Sequence, residues 1–117
     1  MDISLLMSEK IEIWVPVEDA RVRIRYMSTT DRAEARSRLM VITDDGPRID
    51  ISRIDIETCV SAVIGWDGFT VNGEPLEFNE PNLRKLARWA KFAEAVNGAC
   101  FRLDAFKVEE IEEEKKS

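Results

Sequence analysis

Strict alternation of apolar and polar residues marks two stretches near the start of the chain, Ile11-Glu12-Ile13-Trp14-Val15 and Arg21-Val22-Arg23-Ile24-Arg25-Tyr26. A period of two is the pattern of half-buried strands, so the pair predicts an antiparallel β-hairpin joined through residues 16–20. Only one register sets apolar side chains opposite each other: Val15 with Val22, Ile13 with Ile24 and Ile11 with Tyr26. The outer face then pairs Glu12 with Arg25, a carboxylate–guanidinium contact, and Trp14 with Arg23, a cation–π contact.

Helical spacing takes over after Ser28-Thr29-Thr30, whose hydroxyls suit a helix cap, with Asp31 and Glu34 placed to complement the dipole. The expected helix runs to about Ile42. Its apolar positions, Ala35, Leu39 and Ile42, are sparse, which places it at the edge of the core. Asp44-Asp45-Gly46-Pro47 reads as a turn and Ile49 with Ile51 as a short strand. Ser52 with Asp55 then resembles an N-capping box. Ile56, Cys59, Val60, Val63 and Ile64 follow at helical spacing, predicting a second helix that Gly65 closes. The β-branched content of residues 52–64 leaves a strand as the competing reading.

Asn72-Gly73, set between Phe69-Thr70-Val71 and Leu76-Glu77-Phe78, is the strongest hairpin signal, since a type I′ turn requires positive φ at both central residues. Asn79 caps the next helix, with Pro81 in its first turn. Leu83, Leu86, Ala87 and Ala90 form one stripe. Trp89, Phe92, Ala93, Val96, Cys100 and Leu103 continue at helical spacing, so the helix is expected to survive Asn97-Gly98, where a break is the alternative. The whole is an α+β domain over residues 1–108: an N-terminal antiparallel hairpin, a small central hairpin and three to four helices, the C-terminal half being helical. Residues 109–117, acidic and with little to bury, read as a disordered tail.

Composition narrows the chemistry. With 117 residues, one domain is expected. A net charge of −6 repels nucleic-acid phosphate, and the locally basic run of Arg21, Arg23, Arg25, Arg32, Arg36 and Arg38 is assigned by alternation and helix faces to a solvated surface. Neither a secretion signal nor a membrane span is recognisable, which points to a cytoplasmic protein. The chain has no histidine, and its two cysteines, Cys59 and Cys100, sit in apolar contexts as buried thiols. Histidine-based catalysis and histidine-ligated metal sites are therefore excluded, and no phosphate-cradling glycine loop occurs. Asp50, Asp55 and Glu57 lie close in sequence, but carboxylate proximity is common on so acidic a chain. No catalytic residue, cofactor or metal site is assigned.

The aromatic residues carry more information. Trp66, Phe69 and Phe78 flank the central hairpin as core anchors. Trp89, Phe92, Phe101 and Phe106 are more than one buried stripe requires, and they are the candidate partner-binding patch on the last helix.

The run from Gly65-Trp66-Asp67-Gly68 through Asn72-Gly73-Glu74-Pro75-Leu76 to Asn79-Glu80-Pro81-Asn82-Leu83 resembles the tail assembly chaperone family of long-tailed bacteriophages and prophages. The likeness covers about residues 52–106. It implies a non-catalytic assembly factor in the bacterial cytoplasm, absent from the finished virion, that keeps the tape-measure protein dispersed and recruits tail-tube subunits. It brings no catalytic residues and no residue-level binding motif. Homo-oligomerisation is compatible with it. Two other classes remain open: a structural minor tail protein of the virion, and a small nucleic-acid-binding regulator.

Overall fold

In the computed structural model, which describes residues 2–7 and 11–105, the element order is α1 (Ser4–Met7), β1 (Glu12–Val17), β2 (Ala20–Arg25), α2 (Thr29–Ser37), β3 (Met40–Thr43), β4 (Gly46–Ile49), α3 (Ile54–Ala62), β5 (Val63–Asp67), β6 (Thr70–Val71), β7 (Glu74–Pro75), α4 (Glu80–Ala87) and α5 (Ala90–Ala105). The α+β class expected from the pattern is the one observed. Phe106 and the acidic segment 109–117 lie outside the described residues.

The β1–β2 hairpin forms in the register that buries its apolar side chains. Val15 faces Val22, Ile13 faces Ile24, and the Tyr26 N–H donates to the Ile11 carbonyl at 2.8 Å. On the outer face the backbone pairs are also the expected ones, yet the side chains reach diagonally, as long side chains on a twisted ladder can. Arg23 forms its ion pair with Glu12, and the Arg21 guanidinium lies 4.2 Å from the Trp14 ring centroid, closer than that of Arg23 at 5.8 Å. Arg25 is drawn away from Glu12 by Asp31, at 3.2 Å, and by the Ser61 carbonyl, at 2.7 Å. β5 pairs with the free side of β2, giving the order β1-β2-β5.

Ser28 and Asp31 close α2 reciprocally: the Asp31 N–H donates to Ser28 Oγ at 3.1 Å and the Ser28 N–H to Asp31 Oδ2 at 2.9 Å. The expectation that this helix reaches Ile42 is overturned, because it ends at Ser37 and the chain turns into the β3–β4 hairpin. Asp44 and Asp45 form the two-residue loop, and Gly46 takes the positive φ of +107°. The local cause is the β-branched run Val41-Ile42-Thr43 before a turn sequence, which favours a strand over a last helical turn. The Asp50 N–H donates to the Leu39 carbonyl at 2.7 Å and so ties the base of the hairpin.

A 3₁₀ turn at Ile51–Arg53 leads into α3. Asp50 caps the 3₁₀ turn, its carboxylate accepting from the Ser52 N–H, and α3 follows from Arg53 without a side-chain cap, so the Ser52–Asp55 box that the spacing suggests does not form. The helical reading holds for Ile54–Ala62, while Val63, Ile64 and Gly65 take the competing extended path as β5. Gly65 is thus a strand residue and does not close the helix. Asn72 and Gly73 have φ of +53° and +84°, the type I′ pattern, and Asn79 caps α4 by accepting from the Asn82 N–H at 2.9 Å.

The C-terminal helix is broken, not at Asn97-Gly98 but at Arg88-Trp89. Buried positions on α4 are Leu83 and Ala87, whereas α5 buries Phe92, Val96, Ala99 and Leu103. The step from Ala87 to Phe92 is five residues, which rotates the stripe by well over 100° on a continuous helix, so the chain interrupts the helix to keep both stripes on the core. Helix α5 packs across β1 and β2, and α3 packs against α2, α4 and α5. The core cluster lies between them and includes Ile13, Val22, Ile24, Cys59, Leu83, Phe92 and Val96.

Two glycines are expected to respond in opposite ways to alanine. At Gly68, φ is +97° and a Cβ would meet the Ala20 Cα at 3.0 Å, so Gly68→Ala is expected to destabilise by more than about 1 kcal/mol. Gly98 lies within α5, where an added Cβ would meet nothing within 4 Å, and Gly98→Ala is expected to stabilise by about 0.4–1 kcal/mol. Urea unfolding midpoints of the two variants check both signs.

Candidate protein-docking groove

Glu57 on α3 is the most deeply buried carboxylate among the described residues, at 1% exposure. Its Oε1 accepts from Arg38 Nε at 2.8 Å and Arg84 Nη2 at 3.2 Å, and its Oε2 accepts from Arg84 Nη1 at 2.8 Å with Arg53 Nη2 at 3.5 Å. Arg38 also donates to the Glu57 carbonyl and to Ser61 Oγ. Hydrogen bonds from Arg84 outweigh the cost of burial and, with those of Arg38, hold the Glu57 carboxyl below its ordinary range. The charge is fully satisfied, so it clamps the end of α2 and the last turn of α4 onto α3.

Beside this clamp an open groove of about 330 Å³ runs between α2, the β4–α3 corner and the end of α5. Its walls are mainly apolar: Met27, Leu39, Ile49, Ile51, Ile54 and Leu103. Ile51 and Ile54 are 64% and 43% exposed, an arrangement that leaves branched aliphatic side chains in water at the mouth of a concave surface. Arg32 and Arg36 stand at the rim, Arg32 ion-paired with Asp104 of α5. Ile49 belongs to two surfaces, because it also shares with Met40, Ile42 and Pro47 one face of the β3–β4 hairpin.

Of the four aromatic residues expected to form a partner patch, the three described ones, Trp89, Phe92 and Phe101, do not share one surface. Phe92 is fully buried, its ring centroid 6.5 Å from Trp66 and 6.0 Å from Phe69. It is a core residue, because the break before α5 turns its side of the helix onto the sheet. Trp66 completes the cluster with Phe78 at 4.8 Å, edge to face, and donates from Nε1 to the Leu76 carbonyl at 2.9 Å. Trp89 and Phe101 do face solvent, at 40% and 75% exposure, and neither lines the groove. Phe106 lies outside the described residues. From sequence the groove residues Ile49, Ile51 and Ile54 read only as ordinary strand and helix positions. The signal that finds Ile49 is the β-branched run Val41-Ile42-Thr43 before Asp44-Asp45-Gly46, which marks a second hairpin; none marks Ile51 or Ile54.

Other candidate chemistry is accounted for by structure. Burial pushes the Cys59 thiol up to about 12 and that of Cys100 to about 11, so neither is a thiolate nucleophile at neutral pH. Asp50 is engaged with the Ser52 N–H and hydroxyl, and Asp55 with Asn97. Among the described residues no group of three carboxylates or thiols is placed to hold a metal ion, and no helix is long and apolar enough to cross a membrane. Of the early arginines, Arg21, Arg23, Arg25, Arg32 and Arg38 have carboxylate partners, and Arg36 has none among the described residues.

Removing the Glu57 charge leaves three guanidinium groups crowded without a counterion. Their heads are partly solvated, so Glu57→Gln is expected to cost about 3 kcal/mol at neutral pH. The folded carboxyl binds its proton less tightly than the unfolded one, whose ordinary value is about 4.3. Its contribution is therefore complete above that value and is lost as the pH falls through the lower, folded one. Urea unfolding of both proteins between neutral and strongly acidic pH should show the gap closing at the acid end.

Comparison of the chain with protein-family models, with curated proteins and with solved structures finds no match.

Proposed function

We propose that the chain is a non-catalytic assembly factor that shelters apolar segments of another protein chain, in the manner of the phage and prophage tail assembly chaperones. On this reading it works in the bacterial cytoplasm, its partners are the tape-measure protein and tail-tube subunits, and it needs no cofactor. The observation that carries the reading is the open aliphatic groove beside the Glu57 clamp, with Ile51 and Ile54 exposed at its mouth. An apolar groove of this kind suits the nonpolar face of an amphipathic segment, read by successive side chains along a helix. Enzymatic sites differ in having convergent, unsatisfied polar groups. Here the carboxylates at the groove are engaged, Glu57 by three arginines and Asp104 by Arg32, and no second polar group converges with Arg36 on a common point. The net charge of −6 would keep such a complex dispersed.

The partner surface on this reading is the groove between α2, α3 and the end of α5, and not the exposed Trp89 and Phe101 of the last helix. Co-expression with the tape-measure protein of the same phage or prophage tests it. The tape measure should remain in the supernatant with the unaltered chain and pellet with Ile51→Asp or Ile54→Asp, both substitutions being at exposed positions that leave the circular dichroism unchanged. A tape measure that stays dispersed with these variants, or that pellets with the unaltered chain, would refute the reading. Phe92→Asp is not a surface test, since that ring is in the core and its loss unfolds the domain.

A further inference from the structure

We infer that the β3–β4 hairpin is the contact between two copies of this chain, packed face to face about a two-fold axis. In the observed register Met40 lies opposite Ile49 and Ile42 opposite Pro47, so these four side chains share one face. All four are exposed: Met40 at 54%, Ile42 at 82%, Ile49 at 57%, and Pro47 on the surface. An unbroken apolar face on a two-stranded sheet is an arrangement that isolated hairpins do not sustain in water without something packed against them.

The geometry favours a face-on contact over edge pairing. The bond from Asp50 N–H to the Leu39 carbonyl starts an alternation in which 39/50, 41/48 and 43/46 are the hydrogen-bonded pairs. Pro47 therefore turns its missing N–H to the outer edge of β4, which blunts that edge. Pairing through the β3 edge is open, but it would leave the apolar face in water. Face-on packing removes it. Packing two such faces together withdraws all four exposed side chains of each copy from water, a small contact near the lower end of about 1,000 Å² at which specific interfaces begin.

Charge fits the same arrangement. A two-fold axis between the faces and perpendicular to the strands sets the Met40–Ile49 base of one hairpin over the slimmer Ile42–Pro47 tip of the other. Asp45 is ion-paired with Arg48 of its own hairpin at 3.3 Å, so it is Asp44 at the tip that approaches the base of the second copy, where Arg36 lines the groove with Ile49 and has no ion-pair partner among the described residues. Asp50, also at the base, is engaged by the Ser52 hydroxyl and N–H. Unrelated proteins would have no reason to match this alternation of large and small pairs; a second copy does so by symmetry.

This contact shares Ile49 with the groove, but its test does not involve a client, so its failure and that of the client-binding reading are distinguishable. Light scattering coupled to gel filtration, run from low micromolar to roughly 100 μM, should show the full chain moving from monomer to dimer, the range in which an interface of this size associates. Ile42→Lys should remain a monomer throughout, with circular dichroism and thermal midpoint unchanged at low concentration, because that side chain is almost free of intramolecular contact. Ile54→Lys, in the groove and off the hairpin face, should dimerise as the unaltered chain does. A wild-type chain that stays monomeric at the top concentration overturns the inference. So does a dimer that survives Ile42→Lys, or one that is lost equally in Ile54→Lys.

Discussion

The buried carboxylate of Glu57 is the constraint on which the layout of the functional side depends. It sits on α3 and gathers Arg38 from just past α2, Arg53 from the 3₁₀ turn and Arg84 from α4. A buried charge with no counterion would cost several kcal/mol, so these arginines, and the segments that carry them, are held in register with α3. Arg38 immediately precedes Leu39 and β3, which means that the same clamp sets the direction in which the β3–β4 hairpin leaves the domain. The groove follows from this, since Leu39, Ile49, Ile51 and Ile54 line it only because the hairpin base and the first turn of α3 are pinned side by side.

On the other side of the domain, apolar packing does the equivalent work without charge. Phe92 meets Trp66 and Phe69, Trp66 meets Phe78, and the indole N–H reaches the Leu76 carbonyl, so the short β6–β7 hairpin is fastened to α5 through rings. Edge-to-face pairs of this kind add about 0.5–1.5 kcal/mol each beyond the area they bury. Of the aromatic residues that invite a surface reading, Phe92 is consumed by this core, while Trp89 and Phe101 stay in water. The exposed aliphatic side chains of the β3–β4 hairpin and the groove mouth are a separate surface.

The features legible from sequence are those that one local rule decides. The β1–β2 register follows from parity, the Asn72-Gly73 turn from the need for positive φ, and the Ser28 and Asn79 caps from short oxygen-bearing side chains before helical runs. Pattern misleads where two local rules compete. Leu39 and Ile42 fit a helical stripe with Ala35, but Val41-Ile42-Thr43 before Asp44-Asp45-Gly46 also fits a hairpin, and tertiary anchoring of Arg38 favours the latter. Val63 and Ile64 continue the α3 spacing, yet β2 has a free edge to pair and takes them. Exposure is the least legible property of all. Phe92 and Trp89 are three residues apart on an apolar pattern, and only the break before α5 puts one in the core and the other at the surface.

Placing isoleucine at Ile42 contributes almost nothing to folding, because a side chain so exposed gains little from the native state relative to the unfolded one. Its neighbours Asp44 and Asp45 limit the hazard by keeping charge at the tip, and the net charge of −6 opposes random collision between copies. Such repulsion acts over about a Debye length and is overcome only where complementary surface is gained at contact. The combination therefore selects against loose aggregation while permitting a defined association, in which shape and alternating side-chain size decide what binds.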